Sequence, residues 1–275
     1  VPYLDVTGAQ IYFEDTGGDG PVVVLAHALL LDQEMLAPQV AALRDGYRVV
    51  TWDARGHGAT RYDESAFDIW DLARDQVALL EHLAVDQVVL GGFSLGGEVC
   101  LRTALLAPGR VRALMLCGTL AGASSPTVRA GYEQLASTAR EGGALPELAD
   151  SLLELLVEDD TARAHWAGKL RAASGETIFH SAACAFGRDD LTGRLAELTL
   201  PVLLLHGTAD PLITLVRAEW LAQELPGCAA VSLVEGAGHL PSLTHPEAVD
   251  AALRKFLDGL PAVGPAAAEG GASTT

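Results

Sequence analysis

Six short apolar runs recur along the chain: "PVVVLA" (21–26), "RVVTWD" (48–53), "QVVLGG" (87–92), "VRALMLCG" (111–118), "PVLLLHG" (201–207) and "AVSLVEG" (230–236). Their apolar stretches are too short for a buried helix and do not alternate with polar residues. Strands buried on both faces have this character. Between most of them lie segments with helical spacing, as in Leu36, Val40 and Leu43 over 34–44, or Phe67, Trp70, Val77, Leu80 and Leu83 over 67–84. Further helices are expected over 95–107, 214–225 and 246–258. Strand and helix in alternation demand a mostly parallel sheet with helices on both faces.

The rhythm breaks after the fourth run. Residues 121–198 hold no clear buried strand, only helical stretches near 126–141, 145–157, 160–172 and 176–187. A segment that long is not a loop. Helices inserted there belong over the carboxyl ends of the strands, where α/β sheets bind ligands. The expected organisation is a core of 1–120 and 199–260, a helical lid of 121–198, and a disordered tail, "PAVGPAAAEGGASTT" (261–275). Short strands at 3–6 and 10–14, joined at Thr7-Gly8, open the chain as a hairpin and raise the expected sheet to eight strands.

"GGFSLGG" (91–97) sits at the end of the third run, where a helix begins. Gly92-Phe93-Ser94-Leu95-Gly96 matches G-x-S-x-G, which sets a serine on a sharp strand-to-helix turn. Glycines on either side remove side chains that would collide with the helix or the next strand. A serine nucleophile needs a base. Of the eight histidines, His239 in "VEGAGHL" follows the last strand at the same sheet edge, and Gly236 and Gly238 let its loop fold inward. The base needs an acid to hold its tautomer and stabilise imidazolium. Asp210 in "HGTADPL" follows the penultimate strand, and no acid follows the strand at 111–116. The order Ser94, Asp210, His239 is the one expected of a nucleophile elbow on an α/β sheet.

The amides of Leu95 and Leu29 are the expected oxyanion donors, with Ala28 as the alternative to Leu29. His27 is expected to brace that loop. In "WDARGHG" (52–58), Asp53 and Arg55 are expected to tie strand-end loops together, and His57 is not the base. Ala28, Leu30, Phe93, Trp166, Phe179 and Leu240 are the expected pocket residues, and Phe186 is a further lid aromatic.

The charge of −18, with only Lys169 and Lys255 as lysines, repels nucleic acid and anionic lipid. Four scattered cysteines without a CxxC pair fit a reduced, cytoplasmic protein. No basic-then-apolar leader and no 18-residue apolar run is present; a start at Val1 fits processing or trimming. No metal-ligand spacing, G-x-G-x-x-G or G-x-x-x-x-G-K occurs, so no metal and no nucleotide, flavin or nicotinamide cofactor is expected.

With the opening hairpin, "HALLLD", "DARGHG", "GFSLGG", "HGTADPL" and "GAGHL" in order, the chain resembles the α/β-hydrolase superfamily along nearly its whole length. Within it the chain looks most like the 3-oxoadipate enol-lactonase and cofactor-free haloperoxidase/esterase group. "SAACAFGRDDLTGRLAELTLPVLLLHGTADPLI" is similar to the lid exit of the lactonases. One departure is His27-Ala28, where the first loop usually reads His-Gly. A basic cluster for a dicarboxylate would fall to Arg163, Lys169 and Arg171. The resemblance implies a serine hydrolase acting on an ester or lactone through an acyl-enzyme; the apolar residues Leu29, Leu30, Leu31, Phe93, Leu95 and Leu240 point to a small or medium apolar acyl group, and monomer and dimer both stay open. The same constellation also serves carbon–carbon bond hydrolysis and perhydrolysis, and the fold also supports non-catalytic binding proteins.

Overall fold

A mostly parallel sheet runs through the molecule. The computed structural model describes residues 2–141, 153, 154, 156, 157 and 159–261. The strands are β1 (Tyr3–Val6), β2 (Ala9–Asp15), β3 (Val22–Ala26), β4 (Arg48–Trp52), β5 (Arg61–Tyr62), β6 (Val88–Phe93), β7 (Val111–Cys117), β8 (Val202–Gly207) and β9 (Cys228–Val234). β1 and β2 form the antiparallel hairpin, β2 pairs antiparallel with β4, and β3, β4 and β6 to β9 are parallel. The sheet, ordered β1-β2-β4-β3-β6-β7-β8-β9 along its main path, has nine strands, not the expected eight. β5 is two residues long and pairs with β2 beside the main path. So short a segment carries no hydrophobic period to announce it.

The apolar runs bury both sides of β3, β4 and β6 to β8, whereas β9, at the sheet edge, leaves Ala229, Ala230 and Leu233 exposed. On β3, Val22, Val24 and Ala26 join one core with β4, α2 (Ile69–His82), α3 (Leu95–Leu106) and α7 (Leu215–Glu224). Val23 and Leu25 join a second core with α1 (Ala37–Leu43) and α9 (Pro246–Asp258). This alternation is the period of two that sends neighbouring side chains to opposite faces. Helix α2 starts at a capping box. Asp68 accepts from the Asp71 amide and Asp71 from the Asp68 amide, each at 2.8 Å. Such a cap stabilises a helix by about 1 kcal/mol. Its buried stripe is Ile69, Leu72, Ala73, Gln76, Leu79 and Leu80. Trp70 and Val77 flank it.

Between β7 and β8 the chain forms α4 (Pro126–Arg140), α5 (Asp160–Ala172) and α6 (Gly175–Phe186). The expected helix at 145–157 falls mostly, and the tail at 262–275 wholly, outside the described residues. Arg102 of α3 is fully buried and holds the segment after α6. Its Nη2 donates to Asp189 Oδ1 at 2.6 Å and to the Asp189 carbonyl at 3.0 Å. A short helix, α8 (Pro241–Thr244), precedes α9.

Candidate active site

Parallel register brings the ends of β3, β6, β7, β8 and β9 to one edge. Ala26 pairs with Gly92, Phe93 with Cys117, and Gly207 with Val234. Ser94 follows β6 directly and caps α3 with φ 51° and ψ −115°. That conformation is strained for a residue with a Cβ. Ser94 N–H donates to the Cys117 carbonyl at 2.9 Å, and Thr119 Oγ1 donates to the Ser94 carbonyl at 2.8 Å. Gly96 makes the turn possible. A Cβ there would meet the backbone of Ala26 and His27, the latter's carbonyl oxygen at 2.7 Å. Gly118, at φ 55°, lets β7's exit lie against the His239 carbonyl.

Ser94 Oγ lies 2.9 Å from His239 Nε2, and His239 Nδ1 lies 2.8 Å from Asp210 Oδ2. Asp210 Oδ1 accepts from the amides of Leu212 (2.8 Å) and Ile213 (3.0 Å). Burial raises the Asp210 pKa, but the hydrogen bonds from His239 and these amides more than offset it and hold the carboxyl below its ordinary value. An ionised carboxylate only accepts, so Nδ1 carries the histidine proton and Nε2 presents its lone pair to the serine hydroxyl. His206 lies at the end of β8, one residue before Gly207. It is neutral, its pKa lowered mainly by burial, and its Nε2–H donates to the Ile213 carbonyl at 2.9 Å. It thereby pins the loop that carries Asp210.

A cavity of about 550 Å³ opens over Ser94 and His239. Ala28, Leu29, Leu30 and Leu95 line it, as do Leu120, Val128, Ile178, Ala182, Pro211 and Leu212. Tyr132 and Phe186, stacked at 3.5 Å, form an aromatic wall. Among the described residues no protein acceptor takes the amide of Leu29 or Leu95, whereas the Ala28 amide donates to Met35 Sδ at 3.2 Å. His27 braces the loop. Its Nδ1 donates to the Ala28 carbonyl and its Nε2 accepts from the Ala54 amide.

Four expected pocket residues lie outside this lining. Phe93 precedes Ser94 and strand alternation turns it into the second core; Leu240, after His239, packs there too. Trp166 is buried from α5 in the same core, with Lys169 Nζ 5.0 Å from its ring centre. Phe179 neighbours Ile178 on α6, but a step of about 100° along the helix turns it to His180 and the Arg140 guanidinium. The basic cluster also differs. Lys169 pairs with Asp32 (2.6 Å) and Glu34 (2.8 Å), and Arg163 donates to the Val157 carbonyl and to Asp160. Neither these two nor Arg171 lines the cavity; Arg188 and Arg217 do, together with Glu98.

The polar turn after β4 lies outside the lining too. Asp53 accepts from the amides of Gln33 and Ala59 at 2.8 Å, and Arg55 pairs with Asp75 at 2.6 Å. Burial lowers the His57 pKa to about 3, so its Nδ1–H donates to the Arg55 carbonyl and the ring is neutral. Glu98, which the sequence shows only as one more helix glutamate, is 6% exposed. Burial pushes its pKa up to about 7, against the pull of Arg188, Arg102 and Arg217.

A serine on a strained turn after the central strand of such a sheet defines an α/β hydrolase. The chain belongs to that family: residues 21–246 match the alpha/beta hydrolase fold model. It is 28% identical over 234 residues to 3-oxoadipate enol-lactonase 1 of Acinetobacter baylyi, covering 83% of this chain and 85% of the relative. A thermophilic esterase from Thermogutta terrifontis superposes with a TM-score of 0.85 at 28% identity, over 94% of this chain and 98% of the other. The enol-lactonase from Burkholderia xenovorans LB400 gives 0.83 at 28% identity, over 94% and 100%.

Proposed function

We propose that this protein is a serine hydrolase that cleaves a small, apolar carboxylic ester or lactone. The observation that carries the reading is the continuous chain Asp210–His239–Ser94, with hydrogen bonds of 2.8 and 2.9 Å, opening into an apolar cavity. His239 Nε2 takes the serine proton as Oγ attacks the substrate carbonyl. Asp210 stabilises the imidazolium that forms. The amides of Leu29 and Leu95 receive the oxyanion, which is the role their lack of a protein acceptor fits. His239 gives its proton to the leaving oxygen, then activates the water that releases the acid. The helices α4, α5 and α6 act as the lid, with Tyr132, Ile178 and Phe186 over the acyl group. Relatives that are lactonases and esterases support both substrate types. Unpaired cysteines fit a cytoplasmic setting, and among the described residues no helix is long and apolar enough to cross a membrane.

The test is burst-phase hydrolysis of short-chain p-nitrophenyl esters, with lactone opening followed in parallel. A burst that Ser94→Ala abolishes is the expected result, and the ester-to-lactone ratio then sets the substrate class. Turnover unchanged in Ser94→Ala sinks the mechanism.

A further inference from the structure

Glu98 lies one turn of α3 beyond Ser94 and lines the same cavity. No hydrogen bond reaches either of its carboxyl oxygens among the described residues, and Oε2 is a buried acceptor with no partner. Arg188 Nε stands 3.3 Å from Oε2, close enough for attraction but not aligned as a hydrogen bond. That guanidinium is already engaged, Nε with the Gly122 carbonyl at 3.0 Å and Nη1 with the Ala185 carbonyl at 2.6 Å. Arg188 therefore offsets the carboxylate's charge without satisfying its lone pairs. A buried carboxyl without donors is costly. The buried carboxylates of Asp53 and Asp210, by contrast, are hydrogen-bonded by their own protein. In a mainly apolar cavity, an unfilled acceptor one helical turn from the serine is a recognition element.

We propose that Glu98 selects substrates that carry a hydrogen-bond donor, a hydroxyl or an amide N–H, near the scissile carbonyl. This rests on Ser94 being the nucleophile. Arg188 compensates the charge, so the preferred substrate is neutral at that position and gives its donor hydrogen to the carboxylate. The other charged and titratable groups that act with Glu98 are Arg102 on its own helix, Arg217 on α7 and the Cys184 thiol on α6. An analogue without the donor leaves the acceptor unfilled, and sites of this kind discriminate strongly against such analogues.

The experiment compares matched pairs: p-nitrophenyl butyrate with both enantiomers of p-nitrophenyl 3-hydroxybutyrate for the acyl side, and ethyl with 2-hydroxyethyl butyrate for the alcohol side. The readout is the ratio of kcat/KM within a pair. Wild type is expected to prefer the hydroxylated member of one pair by about tenfold or more. Glu98→Leu should bring that ratio to about one, and Glu98→Gln, which keeps a carbonyl acceptor, should retain part of it. Both members of a pair share Ser94 and His239, whose ionisation cancels in the ratio. What remains is Glu98, so the wild-type ratio should climb as pH passes about 7. That measurement stands even if Glu98→Leu does not fold. A ratio near one for both pairs, or a preference that is flat with pH and survives both substitutions, overturns the proposal. If Ser94→Ala still abolishes turnover in that case, the hydrolase reading is untouched. If wild type hydrolyses no member of either pair, the hydrolase reading falls and this proposal with it.

Discussion

Thr119 Oγ1 donates a 2.8 Å hydrogen bond to the carbonyl of Ser94, twenty-five residues earlier in the chain. With the Ser94 amide donating to the Cys117 carbonyl, the end of β7 holds both backbone groups of the proposed nucleophile. The strained φ and ψ of Ser94 persist because its neighbours over-determine them. Thr119→Val keeps the shape and removes the donor. The Ser94 carbonyl still accepts from Gly97 and Glu98, so the expected loss is about 1 kcal/mol of stability in urea unfolding. Activity should suffer more: a fall in kcat on the order of tenfold, with KM little changed, because the hydroxyl loses its alignment with His239.

Asp210 is expected to control the tautomer of His239. Asp210→Asn presents an N–H or a neutral oxygen where the carboxylate stood, and the imidazole loses the partner that keeps Nδ1 protonated. The expected fall in kcat is on the order of 10³ to 10⁴, read by steady-state ester hydrolysis. Stability follows the same group. Its carboxyl pKa is below the ordinary value, so its contribution is present above about pH 4 and is lost as pH falls through the lowered value. The acid limb of a thermal melting series should therefore flatten in Asp210→Asn.

These groups differ in how far the sequence exposes them. Ser94, Asp210 and His239 each follow a recognisable strand within a few residues, so strand spacing brings them to one edge. The residues that shape the cavity have no such marker. Ile178 faces the cavity and Phe179 does not, which depends on how α6 is rotated over the sheet. Trp166 looks like a pocket aromatic in the sequence, and α5 turns it into the core instead. Phe93 and Leu240 flank the serine and histidine and face away from them, a consequence of local geometry that period-two alternation does foretell for Phe93. Glu98 is visible only as the fourth residue after Ser94. Its ion-pair partner Arg188 is brought back by the chain only ninety residues later. The two-residue β5 is legible only once β2 is in place.

Gly96 is expected to tolerate no side chain. A Cβ at this position would press on the Ala26 and His27 backbone, which cannot swing aside as a side-chain tip can. Gly96→Ala should cost about 1–3 kcal/mol from overpacking, read as a lower midpoint in urea. It also pushes α3 away from β3 and so moves the Leu95 amide away from Leu29. Ester hydrolysis should drop further than the folded fraction does, and equal losses in the two measurements would show that the glycine serves packing alone.

Glu98 is expected to weaken the fold as pH rises. Its pKa climbs from 4.5 to about 7 on folding, chiefly through burial. The folded state thus favours the neutral acid. That contribution is complete below the unfolded pKa and disappears as pH passes through about 7. Glu98→Gln is neutral at every pH and has no such slope. Relative to wild type, its melting temperature should gain steadily between pH 5 and 8, by an amount equivalent to roughly 1–3 kcal/mol. Arg188 acts in the opposite direction by favouring the ionised form, so Arg188→Met should steepen the wild-type loss over the same window. A Glu98→Gln curve parallel to wild type across that range would mean that the carboxyl titrates in the folded protein as it does in the unfolded chain, and that its burial is relieved by groups other than Arg188.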